Sequence, residues 1–115
     1  MREKNNVWGA LKIEFADKDL ERCAVDEAYA LRRMGKKRLD AYKKRLMAIQ
    51  LSDNFEVLRN IPGGFHELTG NRKGQWACNL DQPYRLIIKG AEPGEVVVWA
   101  EVAEAEVLEI VDYHK

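Results

Sequence analysis

The triplet Pro62-Gly63-Gly64 divides the chain into two parts of different periodicity, and no other feature limits the fold as much. Before it, apolar residues recur every three or four positions. After it, they alternate. Proline lacks the backbone N–H that both helix and sheet need, and the two glycines that follow favour a break. A helix-period half followed by a strand-period half points to an α+β domain.

Within the first half, residues 1–10 read as a polar leader. Leu11 to Phe15 alternates apolar and charged residues, the pattern of a half-buried strand. Asp17 or Asp19 can cap a helix, since a carboxylate accepts bonds from free N–H groups at a helix start. Leu20, Cys23, Ala24, Ala28 and Leu31 predict one helical stripe, with Gly35 as its stop. Leu39, Tyr42, Leu46 and Ile49 predict a second helix over about 36–50. Ser52 and Asp53 offer a cap for a short turn from Asn54 to Leu58.

Beyond the break, Phe65–Leu68, Gln75–Leu80 and Tyr84–Lys89 predict three strands of an antiparallel meander. Gly70 to Gly74 and Asp81-Gln82-Pro83 supply the two turns. Val96 to Trp99 fits either an edge strand or a packed loop. Val107 to Val111 predicts the last strand, apolar on both faces except for Glu109. The expected architecture is one domain over 1–115, with a helical hairpin packed on a mostly antiparallel sheet of four to five strands.

Charge is unevenly placed. Formal net charge is +0, yet eight Lys or Arg residues against Asp40 alone fill the span from Arg32 to Arg45. Seven acids against Lys115 alone fill the span from Ala91 onward. The basic run reads either as a solvated helix face or as a stripe that attracts RNA or an acidic protein. Cys23 and Cys78 are isolated, so two reduced, buried thiols are expected. The chain lacks a long apolar run and a signal-peptide pattern, which predicts a cytoplasmic protein without a membrane partner.

The chemistry-bearing residues concentrate in two places. One is Phe65 to Arg85 and the other is the terminal Asp112-Tyr113-His114, and together they hold both histidines. Arg85 stands among apolar neighbours and needs a partner, either a C-terminal carboxylate or a phosphate that fits its planar fork. Arg72, Lys73, Gln75 and Trp76 sit at a turn, either as a charged turn with a packed Trp or as an RNA grip. In the latter, Arg72 and Lys73 hold phosphates while Trp76 supports a base. Asp112, Tyr113 and His114 follow an apolar strand, so the sheet would position them despite their place at the terminus. The spacing of His, Cys and carboxylates suits neither a metal site nor a nucleotide loop, so no metal or cofactor is expected.

Taken together, His66-x-Leu68-x-Gly70-x-Arg72-Lys73-Gly74-Gln75-Trp76, then Tyr84-Arg85-Leu86, then Asp112-Tyr113-His114, closely resembles the HigB branch of the RelE-like toxins. These are toxin halves of bacterial type II toxin–antitoxin pairs. The resemblance implies a RelE-like small domain and an endoribonuclease that cuts mRNA on the translating ribosome without a metal. It implies catalytic roles for His66, Arg85, Asp112, Tyr113 and His114, and a small helix-turn-helix antitoxin as protein partner. Thr69 departs from the pattern, standing where well-known members carry a lysine. That departure leaves a second reading: a degenerate homologue that docks on an antitoxin or ribosome and cuts nothing.

Overall fold

The computed structural model describes residues 11–113; the leader 1–10 and His114 lie outside them. All four residues of β1 (Lys12–Phe15) keep the alternating burial that their sequence predicts, with Ile13 and Phe15 turned toward the helices. The Asp17 carboxylate accepts the Leu20 N–H at 2.9 Å and starts α1 (Lys18–Val25). A break then comes earlier than the periodicity suggests. Asp26 is extended; its N–H closes α1 on the Arg22 carbonyl, and its carboxylate caps the next helix through the Tyr29 N–H. This corrects the single stripe through Leu31: the break resets the helical phase, so Ala28 and Leu31 are exposed and Ala30 is buried instead.

Helix α2 (Glu27–Leu51) is interrupted at Gly35, whose φ of 81° and ψ of 163° leave the helical region. That conformation lies where a Cβ is disfavoured, so the predicted stop is physically a glycine kink. Leu39, Tyr42 and Ile49 are buried beyond it. The Tyr42 hydroxyl donates to the Leu20 carbonyl at 2.7 Å and ties α1 to α2. Asn54, rather than Ser52 or Asp53, caps the short α3 (Phe55–Leu58) by accepting the Val57 N–H. Ser52 instead donates to the Ala48 carbonyl, and its own carbonyl accepts the Leu11 N–H.

The second half is the meander: β2 (His66–Glu67), a 3-10 turn Gly70–Arg72, β3 (Gln75–Asn79) and β4 (Tyr84–Lys89). Residues 90–98 run irregularly to a 3-10 turn at Trp99–Glu101, which decides for the packed loop: Trp99 is buried and Val96 is fully exposed. Strand β5 (Glu104–Asp112) extends three residues earlier than its apolar run, because Glu104 to Val107 pair in parallel with β1. The result is a small α+β domain with a five-stranded, mixed, mostly antiparallel sheet in the order β1-β5-β4-β3-β2.

Helices α1, α2 and α3 contribute to a single core with Trp76, Cys78, Leu86, Ile88 and Val107 from one face of the sheet. Both cysteines are free and buried there; burial pushes the Cys78 thiol up to about 12 and raises Cys23 too, so neither is a nucleophile at neutral pH. Among the described residues, no helix is long and apolar enough to cross a membrane.

Candidate functional site

The sheet's other face carries the candidate chemistry. Side chains paired across neighbouring strands share a face. The pairing gives three rows there: Asn79, Arg85 and Val111; then His66, Ala77, Ile87 and Glu109; then Gln75, Lys89, Glu106 and Glu14. Ala77 and Ile87 are fully buried, yet neither belongs to the core beneath the helices.

Arg85 is the focal cation. It donates from one terminal nitrogen to the Gln82 amide oxygen at 3.3 Å and to the Tyr84 carbonyl at 3.0 Å. No carboxylate of the described residues pairs with it. Its guanidinium carbon lies 5.6 Å from the centre of the Tyr113 ring. Tyr113 is held there by the sheet, since its N–H donates to the Pro83 carbonyl at 3.0 Å and β5 ends opposite Tyr84. An arginine with no counter-ion among the described residues, beside a partly exposed aromatic ring, is suited to an anionic, ring-bearing ligand.

His66 occupies the edge strand β2 and is exposed. Its Nδ1 donates to the Gly64 carbonyl at 2.9 Å. A carbonyl can only accept, so the neutral ring presents Nε2 as a free proton acceptor. Strand spacing and rise separate the backbones of His66 and Arg85 by roughly 12 Å. No hydrogen bond or ring contact joins them among the described residues. The sheet thus places Arg85 with Tyr113 and sets His66 across the face from both.

The predicted grip at 72–76 is taken apart. Arg72 donates to the Gln75 amide oxygen and to Glu109, each at 2.8 Å, on the outer face. Lys73 turns the other way and lines a cleft with Glu67, Glu92, Glu95 and Trp99. The two cations do not meet. Gly74 follows them at φ 94°, with its carbonyl accepting the N–H groups of Gly90 and Ala91; any Cβ there would run into the Ala91 carbonyl.

Trp76 requires a correction. It is 0% exposed, with its ring 5.4 Å from Phe55 and 5.3 Å from Trp99, both edge-on. A base cannot stack on it; strand alternation puts it on the face of Cys78 and Leu80. Asp112 pairs in register with Tyr84 at the end of β5, and the predicted His114 lies outside the described residues.

Four of the eight basic residues from Arg32 to Arg45 are paired with carboxylates. Arg33 pairs with Asp19, Lys36 with Asp40, Arg38 with Asp81 and Lys43 with Glu27. Arg45 donates to the Asn79 carbonyl at 2.7 Å. The helix also packs on the face opposite Arg85. Acids collect instead where β1, β4 and β5 meet: Glu14, Glu92, Glu95, Glu104 and Glu106 surround Lys89 in a hollow of about 260 Å³. The outer face is therefore cationic and aromatic at the Arg85 end and anionic at the other.

Glu109 is a residue of this face that the motif pattern missed. Its signal was present as a lone carboxylate in the apolar run Val107 to Val111. No family model matches the chain, and no curated protein matches it.

Proposed function

We propose that this protein is a toxin of the RelE-like type, an endoribonuclease that cuts mRNA held on the ribosome. One observation supports the reading most: Arg85 lies on a sheet face with no carboxylate partner among the described residues and with Tyr113 beside it. A guanidinium so placed can take two phosphate oxygens while the phenol ring packs on a base or ribose.

The reaction proceeds within the RNA itself. The 2′-hydroxyl loses its proton to a histidine and attacks the adjacent phosphorus. The P–O5′ bond breaks, the leaving oxygen takes a proton from a second acid, and a cyclic phosphate and a 5′-hydroxyl result. Arg85 stabilises the charge that builds on the phosphorane oxygens. His66 offers Nε2 as base, and His114 is the other candidate for proton transfer. Asp112 orients one of these groups. The ribosome supplies the in-line geometry, so a sparse set of protein groups suffices.

The separation of His66 from Arg85, together with Thr69 in place of a lysine, favours a second reading. In it the same face docks on an antitoxin or the ribosome without cutting. Induction in a bacterial host tests whether this face carries the toxicity. Wild type is expected to arrest growth, and both Arg85→Ala and His114→Ala to relieve the arrest. Arrest by wild type that Arg85→Ala leaves untouched refutes the proposed role of this face.

A further inference from the structure

We propose that Glu109 is a positioning residue that fixes Arg72 as a second phosphate-binding guanidinium, in line with Arg85 along β4. The inference rests on the RNA-binding reading of this face. Arg72 belongs to the turn between β2 and β3, whereas Glu109 belongs to β5, two strands beyond β3. The side chain therefore reaches across β4 to make its 2.8 Å contact. Its other terminal nitrogen is held by Gln75 on β3. With one end of the fork fastened on each side, the guanidinium lies over Ile87. This accounts for the complete burial of Ile87 on a face that no helix covers.

Ile87 and Arg85 are alternate residues of β4 and share a face, so their Cα atoms stand roughly 7 Å apart along the strand. Each terminal nitrogen of Arg72 uses one hydrogen on the protein and carries a second. Two cations on one face of the same strand can hold phosphates of one RNA strand. Without Glu109, Arg72 would be a long side chain on a turn, and ordering it would fall on the binding step. Glu109 orders it beforehand. Its negative charge does not cancel that gain, because the carboxylate bonds to one terminal nitrogen only and Arg85 has no counter-ion among the described residues.

The test is a double-mutant cycle read by RNA affinity. A fluorescein-labelled single-stranded RNA oligonucleotide is titrated with the full chain, and anisotropy is followed. Arg72→Ala and Glu109→Ala are each expected to weaken binding about five- to tenfold. The double variant is expected to bind no worse than the weaker single. Glu109→Gln keeps an acceptor for Arg72 and should lose only about two- to threefold, and nothing further once Arg72 is alanine. If Glu109→Ala fails to fold by circular dichroism, the Glu109→Gln comparison in the two backgrounds carries the test. Binding by Glu109→Ala as tight as the parent, or losses that multiply in the double variant, overturn the positioning role. A parent chain that binds no RNA overturns the reading of the face together with it, and so is distinguishable from failure of Glu109 alone.

Discussion

Replacing Trp76 by alanine separates a core tryptophan from an RNA-stacking one. The side chain is 0% exposed and meets Phe55 and Trp99 edge-on, with Arg59 4.7 Å over its ring. Burying about 200 Å² at about 25 cal/mol per Å² gives an upper bound near 5 kcal/mol. Truncations of this kind cost about 3–5 kcal/mol, a large share of the roughly 5–15 kcal/mol that holds a small domain together. With a urea slope of about 1.5 kcal/mol per M, the unfolding midpoint should fall by about 2–3 M. Trp76→Phe keeps the aromatic contacts and removes an indole N–H that has no acceptor. Its cavity of roughly 40 Å³ at about 24 cal/mol per Å³ should cost only ~1 kcal/mol, with RNA affinity unchanged. Urea titration by far-ultraviolet circular dichroism measures both. A midpoint for Trp76→Ala within about 0.3 M of wild type, joined to loss of RNA affinity, would refute the core assignment.

Two further predictions concern ionic contacts. Arg38 makes a two-point pair with Asp81 at 24% and 15% side-chain exposure and lies 3.5 Å over the Tyr84 ring. Arg38→Ala should therefore cost about 2 kcal/mol in chemical unfolding, less than a fully buried pair, and leave RNA affinity unchanged; weakened RNA binding at full stability would place Arg38 in an interface instead. The second concerns acid. The Tyr29 hydroxyl, then Arg33, hold the Asp19 carboxyl below its ordinary 3.8, and the Tyr29 N–H does the same for Asp26. A carboxyl depressed on folding stabilises above its unfolded value, and that stability is lost as pH falls through the folded one. Wild type should thus weaken progressively below about pH 4, and an Asp19→Asn, Asp26→Asn double variant should show a shallower fall. Thermal melts between pH 6 and 2 measure the slopes; equal slopes would contradict the assignment.

Much of the fold was legible because local signals agreed with the tertiary result. Strand β4 spans Tyr84–Lys89 as expected, since a Pro-containing turn and Gly90 bound it on either side. Gly35 interrupts the helical run because its φ is positive, as a glycine stop suggests. Asp26 was missed because a side-chain cap looks like any acid on a helix until the Tyr29 N–H is seen to need it. The early start of β5 was hidden too: Glu104 and Glu106 lie outside the apolar run, and only the remote β1 makes them strand. At the site, Arg85 and Tyr113 are recognisable as polar residues attached to apolar strands. Which way Trp76 and Lys73 turn depends on the phase of β3 and the turn before it. A motif read as a string of residue types does not carry that phase, although counting alternate residues from Gln75 recovers it for Trp76.

The Arg85–Tyr113 end of the outer sheet face is proposed to cleave mRNA. The direct measurement is primer extension on a defined mRNA recovered from a translating bacterial lysate, with wild type, Arg85→Ala, or no added protein. Wild type is expected to give discrete new 5′ ends that are absent from both other reactions. Inhibited translation with uncut mRNA, or the same cuts made by Arg85→Ala, would contradict it.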